Sequence, residues 1–417
     1  MPPGVRRARY LVLGFAMNAI LGTAYAWSVF TAPLKAQFGA TDFSAMLPLA
    51  VALAMFSVGM VIAGRLVDRH GPRKVAILGS LLFGGGYLLS SLMHLTPWPI
   101  ATLTLTYGVV VGLGTGFAYG PPIPTAVRWF PDRKGLASGI VVMGFGLSAL
   151  LTAPLADALV QAYGVPGTFL ILGGVFLVVL VPMSALLAFP AVDWKAPQAA
   201  AASRRTWTPL AEVRTRDMLR SGAFWSAWLL YVLGTAGGFM IIGKAKPIAM
   251  EIGAATGAWA VAAVQILAVF NSGGRPLFGR AADLWGPKNA LFLMYAVLLG
   301  SMVLLSLSTS AVPLYLGIGL TGMVFGGFLA VMPTLSTYFF GMKHLGTNYG
   351  FLFTGYGCGA LVALFAIGPI RDVFGSYGPA FYVGAGLSVM GLVLTLLVRP
   401  PRPTATRIVP DRLPARA

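Results

Sequence analysis

Apolar residues in this chain neither alternate with polar ones nor keep to one stripe of a helix. They run in long blocks, separated by short polar punctuation rich in Gly, Pro, Arg and Asp. About 20 consecutive apolar residues carry a helix across hydrocarbon. On that measure the pattern predicts twelve spans, at 10–33, 44–64, 75–95, 98–127, 136–162, 167–190, 223–247, 256–279, 289–309, 312–337, 347–370 and 378–398. Most connections are short. The exception is the polar, Ala- and Arg-rich stretch 191–222, which parts a first unit of six spans (1–190) from a second (223–398), leaving a Pro- and Arg-rich tail at 399–417. Within the stretch, Thr208–Arg220 places Leu210, Val213 and Leu219 at helical spacing. That suits a helix lying on the membrane surface or a solvated linker helix.

The two units repeat one another. Gly64-Arg65-Leu66-Val67-Asp68-Arg69-His70-Gly71-Pro72-Arg73-Lys74 follows span 2, and Gly279-Arg280-Ala281-Ala282-Asp283-Leu284-Trp285-Gly286-Pro287-Lys288 follows span 8. Pro124-Thr125 with Trp129-Phe130 matches Pro333-Thr334 with Tyr338-Phe339. Gly139 with Gly144-Phe145-Gly146 matches Gly350 with Gly355-Tyr356-Gly357. The three matches lie at offsets of 215, 209 and 211 residues. Such constancy marks an internal duplication, an arrangement that places substrate sites at the interface of the repeats.

Composition agrees: 57% of the 417 residues are hydrophobic and 10% charged, with a mean hydropathy of +0.82. A soluble chain carries about a quarter charged residues. The lipid bilayer is therefore the expected surrounding. A net charge of +18 suggests nucleic acid until its placement is considered. All Lys and Arg except Lys35, Lys244, Lys246, Arg371 and Arg275 fall on one predicted side. That asymmetry puts both termini in the cytoplasm and makes the basic surface topological, with no nucleic acid implied. Arg6-Arg7-Ala8-Arg9 precedes an apolar run long enough to span, so the first helix reads as a retained anchor in an inner (plasma) membrane. The single Cys358 excludes an internal disulfide and a thiolate metal cluster, and no metal or cofactor is expected.

One charge does not fit. In Ala255–Gly279 the only ionisable residue is Arg275. A charge at membrane depth is expensive and faces a protein interior or a water-filled path. Its planar guanidinium cannot deprotonate and matches a carboxylate bidentately. Asn271 stands four residues earlier, on the same helix face, and Gly273 and Gly274 allow a partner helix to approach. Arg275 lies about 6 Å from the predicted cytoplasmic end of the span, at 1.5 Å per residue. The competing reading is a structural arginine that holds helix carbonyls.

The twice-occurring G-x-x-x-D-x-x-G-x-[KR] loop, together with the 6+6 layout, resembles the major facilitator superfamily. The resemblance implies an all-α membrane protein of twelve transmembrane helices in two six-helix bundles. It also implies a conformational latch in which Asp68 and Asp283 face helix N-terminal amides and a basic residue, with Arg65, Arg280 and Arg133 around them. Trp129-Phe130-Pro131-Asp132-Arg133-Lys134-Gly135-Leu136-Ala137-Ser138-Gly139 and Asn271-Ser272-Gly273-Gly274-Arg275-Pro276 are similar to the signatures of the monocarboxylate-porter and oxalate/formate-antiporter group. That similarity implies that Arg275 anchors a substrate carboxylate. Exchangers of oxalate in that group carry a span-11 lysine where this chain has Tyr356. Proton-coupled animal carriers have a lysine and an aspartate where this chain has Val29 and Asn271. One fixed cation in the core matches one carboxylate.

The expected partners are thus a small monocarboxylate anion of the lactate or pyruvate type and a proton, moved by alternating access. Exchange of the oxalate/formate type is the alternative. Depth matching adds Tyr119 as a hydroxyl donor, with Tyr25, Phe145, Phe325 and Tyr356 as an apolar wall; packing alone would also account for each. Gly238–Ala245 fits GxxxxGK but lacks the closing Ser/Thr and lies in a span, so no nucleotide is expected. No His, Cys or carboxylate cluster shares a depth, which disfavours an enzyme.

Overall fold

The computed structural model describes residues 3–191, 212–242, 244–252 and 258–401. All regular structure among them is helical. In hydrocarbon every backbone amide must be satisfied within the chain, and a helix does this alone. Eight helices among the described residues are long and apolar enough to cross a bilayer, and the bent pair Arg7–Ala26 and Val29–Phe38 makes a ninth.

One of the eight, Lys134–Ala185, has 52 residues, about 78 Å of helix and far more than a hydrocarbon core. Gly164, at φ 68° and ψ 179°, breaks it into spans 5 and 6. Span 8 (Ala258–Trp285) and span 11 (Leu345–Phe374) bring the number to twelve. The others are span 1 (Pro3–Leu21, continued by Ser28–Phe38), span 2 (Asp42–His70), span 3 (Pro72–Ser90) and span 4 (four pieces from Pro99–Leu103 to Pro122–Trp129). Span 7 (Gly222–Ile242), span 9 (Pro287–Ser306), span 10 (Ala311–Phe340) and span 12 (Gly378–Leu397) complete the second bundle. Span 10 is the innermost, with 78% of its apolar window buried, against 33% for span 12, which faces lipid.

The repeated loops form the same corner twice. Gly71 (φ 79°) and Gly286 (φ 89°) end spans 2 and 8 in a conformation that side chains resist. Pro72 and Pro287 then open the next helix at its first turn, where a missing N–H costs nothing.

Three sequence expectations shift. Span 6 ends at Ala185 rather than 190, and in the non-helical segment that follows the Ala188 carbonyl accepts from the Trp129 indole at 2.8 Å. Span 7 ends at Ile242 rather than 247; Lys244 leaves helical geometry, and a separate helix, Ala245–Glu251, takes Pro247 in its first turn. The amphipathic helix expected over 208–220 is described only from residue 212. Its described part straps the ends of spans 10 and 11: the Val213 amide donates to the Phe340 carbonyl at 3.0 Å. Met218 is buried in the short helix Thr215–Leu219. Most of the expected linker, 192–211, and the tail from 402 lie outside the described residues.

Candidate functional site

Arg275 lies two helical turns from the Asp283 corner of span 8, and both it and Asn271 are buried, Arg275 with no exposed surface. The i,i+4 spacing brings the pair together. Arg275 donates Nε–H and Nη2–H to Asn271 Oδ1 at 3.2 and 3.1 Å, and Nη1–H to the main-chain carbonyl of Val142 on span 5. Both acceptors are neutral carbonyl oxygens, so among the described residues the guanidinium is hydrogen-bonded but not charge-neutralised. Span 5 approaches this closely because residue 146 is glycine: a Cβ there would stand 3.2 Å from Arg275 Cζ and 2.7 Å from Ser272 Oγ. Gly274 admits the backbone of span 10, as expected. Gly273 does not; it is exposed and faces open space.

The aromatic residues singled out from sequence form one cluster across both bundles. Phe145 packs edge-on to Tyr25 at 5.3 Å and to Tyr119 at 5.2 Å between ring centroids. The Tyr25 and Tyr356 hydroxyls meet at 3.4 Å, joining span 1 to span 11. Phe325 lies 6.1 Å from Tyr356 and seats its ring on Gly238 of span 7, so the GxxxxGK segment is helix packing. The Tyr119 hydroxyl is buried, within electrostatic reach of Arg275, and has no hydrogen-bond partner in the protein. Leaving a hydroxyl so costs about 1–3 kcal/mol.

Five further members join them: Phe56, Tyr231, Phe239, Tyr349 and Phe353. Phe353 is the hub, 4.8 Å from Tyr356, 5.0 Å from Phe56, 5.9 Å from Tyr119 and from Tyr349, and 6.1 Å from Tyr231. Tyr349, Phe353 and Tyr356 stand at i, i+4 and i+7, a one-face stripe that the sequence displays. Phe56 stands apart from other aromatics in its span, whereas Tyr231 closes a second such stripe, Phe224, Trp228 and Tyr231.

The end of the bundle carrying Asp68 and Asp283 is closed by contacts between the halves. Asp68 accepts from the amides of Gly346 and Thr347 at 3.1 and 2.7 Å and from the Thr347 hydroxyl at 2.8 Å. Asp283 accepts from the amides of Gly135 and Leu136 at 2.8 and 2.9 Å. Each carboxylate thus sits on the N-terminus of a helix from the other half, where free amides and the helix dipole favour an anion. Gly64 meets Gly346, and Gly135 meets Gly279, backbone to backbone with no room for a Cβ. The void left between spans 2, 4 and 11 is about 10 Å³, space for about one water.

The basic partners differ from those expected. Arg128 pairs with Asp68 at 3.7 Å. Arg133 pairs instead with its neighbour Asp132, also at 3.7 Å, while Lys134 is within reach of Asp283. Arg65 lies over the Phe351 ring at 5.0 Å, and Arg280 is within reach of Asp283. An anion not foreseen is Glu212, which accepts from the amides of Met342 and Lys343 at 3.0 and 2.8 Å. Asp157 is exposed and bonds Gln161, and the side chains of Lys246 and Arg371 lie outside the described residues.

A buried arginine and an aromatic cluster at the interface of two six-helix bundles define a membrane carrier by architecture. The family model described as the Major Facilitator Superfamily matches residues 11–312 and 245–414, and the chain belongs to that family. It is 26% identical over 405 residues to the oxalate:formate antiporter of Oxalobacter formigenes, covering 94% of this chain and 91% of that protein. It is 27% identical over 368 residues to apicoplast pyruvate carrier 1 of Toxoplasma gondii, covering 73% of this chain and 65% of that one. Among solved structures it resembles the transporter FucP in its outward conformation, with a TM-score of 0.70 at 14% identity over 94% of this chain and 99% of FucP. Fold and relatives are those of transporters.

Proposed function

We propose that this chain is a secondary active transporter that moves small monocarboxylates of the lactate and pyruvate type, together with a proton, by alternating access. The observation that carries the reading is Arg275: a permanent cation, fully buried between the halves, whose bonding partners are all carbonyl oxygens. A carboxylate supplies the missing negative charge and the planar two-point geometry. Asn271 orients the guanidinium. Tyr119 offers a hydroxyl donor, and the rings of Tyr25, Phe145, Phe325 and Tyr356 form an apolar wall suited to a short carbon chain. The similarity to a pyruvate carrier supports the monocarboxylate class. With no nucleotide motif in the sequence, a gradient must drive the flux.

The carrier in this reading sits in the inner (plasma) membrane with both termini cytoplasmic and the Asp68 and Asp283 contacts as its inner gate. Its units are 1–190 and 223–398, joined by the linker 191–222, with the tail at 399–417. The second reading is exchange of organic anions, favoured by the similarity to the oxalate:formate antiporter. Tyr356 in place of a second cation weighs against a dicarboxylate. Uptake of labelled L-lactate into proteoliposomes separates the two. An inward proton gradient alone drives symport, whereas a flux that requires internal counter-anion and ignores the gradient assigns the chain to exchange.

A further inference from the structure

The aromatic cluster contains more polar capacity than a carboxylate anchor requires. Tyr25 and Tyr356 satisfy one another at 3.4 Å. Tyr119, Tyr231 and Tyr349 do not: all three are at least 98% buried, and none of the three hydroxyls has a hydrogen-bond partner in the protein. They come from three different helices, spans 4, 7 and 11, and all three rings pack around the same residue, Phe353, at 5.9–6.1 Å. The Tyr231 and Tyr349 hydroxyls interact with each other, without meeting hydrogen-bond geometry, and both lie within electrostatic reach of Tyr119. Tyr119 and Tyr349 in turn lie within reach of Arg275. Natural cores pair almost every buried side-chain polar group. Three phenols gathered from three helices, across both bundles, none with a hydrogen bond of normal geometry, leave donors and acceptors available to a ligand.

The chemistry of that ligand follows from the set. Phenol hydroxyls are neutral and both donate and accept. Among the described residues the cation within reach of Tyr119 and Tyr349 is Arg275, which already has a proposed occupant. A second carboxylate would be desolvated here without a counter-charge. A neutral polar group suits: it can receive a hydrogen bond from one phenol and give one to another. We propose that Tyr231 and Tyr349, with Tyr119 at the boundary, form a second polar subsite beside Arg275 that reads the 2-hydroxyl or 2-oxo oxygen of a substituted monocarboxylate. The inference rests on the reading of Arg275 as the carboxylate anchor, and adds that the preferred acid carries an oxygen on the carbon next to the carboxylate. Unsubstituted acids of the same length leave the phenols unpaired. A site built to bond a hydroxyl discriminates against the analogue lacking it for that reason.

The test compares lactate with propionate, which differ by that one oxygen, in proteoliposomes of the full chain. Wild type should take up lactate at least about fivefold more efficiently, the value of one net hydrogen bond. Tyr231→Phe and Tyr349→Phe keep ring and packing and remove only the oxygen. Each should collapse the lactate-to-propionate ratio toward unity, through a raised KM for lactate rather than a lowered maximal rate. Two outcomes overturn the proposal: a wild-type ratio near one, or a ratio left intact in both variants, which would make the hydroxyls structural or hydrated. Arg275→Ala is read separately. If it abolishes uptake of both acids while the tyrosine variants leave the ratio unchanged, this inference fails and the carboxylate anchor stands. If it leaves both uptakes intact, the anchor fails first.

Discussion

The two charged regions of the interface between the halves are built on opposite rules. At the gate end each oxygen of Asp68 and Asp283 accepts from a main-chain amide of a helix start in the other half. In the centre, a buried guanidinium has neutral acceptors only, and a phenol beside it has none. Spans 2 with 11 and 5 with 8 pack along both regions, and the buried charge of the centre lies between spans 5 and 8. Polar groups that complete one another hold a conformation; polar groups left incomplete wait for a ligand. The contrast is the physical basis for the proposed division into gate and site.

The contrast breaks first at Arg275. Arg275→Ala should lower carboxylate uptake by at least about 100-fold, the scale of a buried charge-assisted pair, with membrane insertion unchanged in a fluorescence or fractionation assay. Arg275→Lys should recover little, since a point charge lacks the planar fork. Wild-type uptake in either variant would place the centre among the structural regions. At the gate, Asp68→Asn retains the shape but weakens three charge-assisted bonds. The alkylation rate of a cysteine introduced at Ile123, buried beside spans 2 and 11, should rise by roughly tenfold. Asp283→Asn should raise it less, because that carboxylate accepts two bonds rather than three.

A smaller effect is expected at Gly146. A methyl there crowds Arg275 Cζ and Ser272 Oγ, so Gly146→Ala should raise the KM for lactate by about three- to tenfold, the cost of modest overpacking, while the maximal rate changes less. The smallest belongs to Arg128→Gln. Its 3.7 Å contact with Asp68 is partly exposed, and such pairs contribute at most about 1 kcal/mol. The same Ile123 cysteine should react less than about fivefold faster. An effect equal to that of Asp68→Asn would move the weight of the gate from the amides to the ion pair.

The spans were legible because lipid imposes a length and a composition that polar loops interrupt. The break at Gly164 agrees with the gap left between spans 5 and 6. Asn271 and Arg275 were legible for a local reason: i,i+4 neighbours share a face whatever surrounds the helix. What joins different helices was less so. Tyr231 meets Phe353 through a distance between spans 7 and 11 that neither segment encodes alone. Glu212 caps a loop 130 positions away. Arg133 and Lys134 are adjacent cations that look alike in sequence, yet Arg133 pairs with Asp132 and Lys134 is the one within reach of Asp283. The stripe Tyr349, Phe353 and Tyr356 was visible and needed only the period to find it.

If Arg275 anchors the substrate as proposed, its bond to the Val142 carbonyl competes with that ligand. Any anion that binds must first displace an acceptor already in place, at effective concentrations no solute reaches. A charge-assisted bond of about 1.5–3 kcal/mol then lowers affinity by roughly 10- to 150-fold relative to a bare guanidinium. For a carrier this is an advantage, since a ligand held less tightly leaves sooner. The backbone of span 5 would thus set a ceiling on affinity and, with it, a floor on the rate of release.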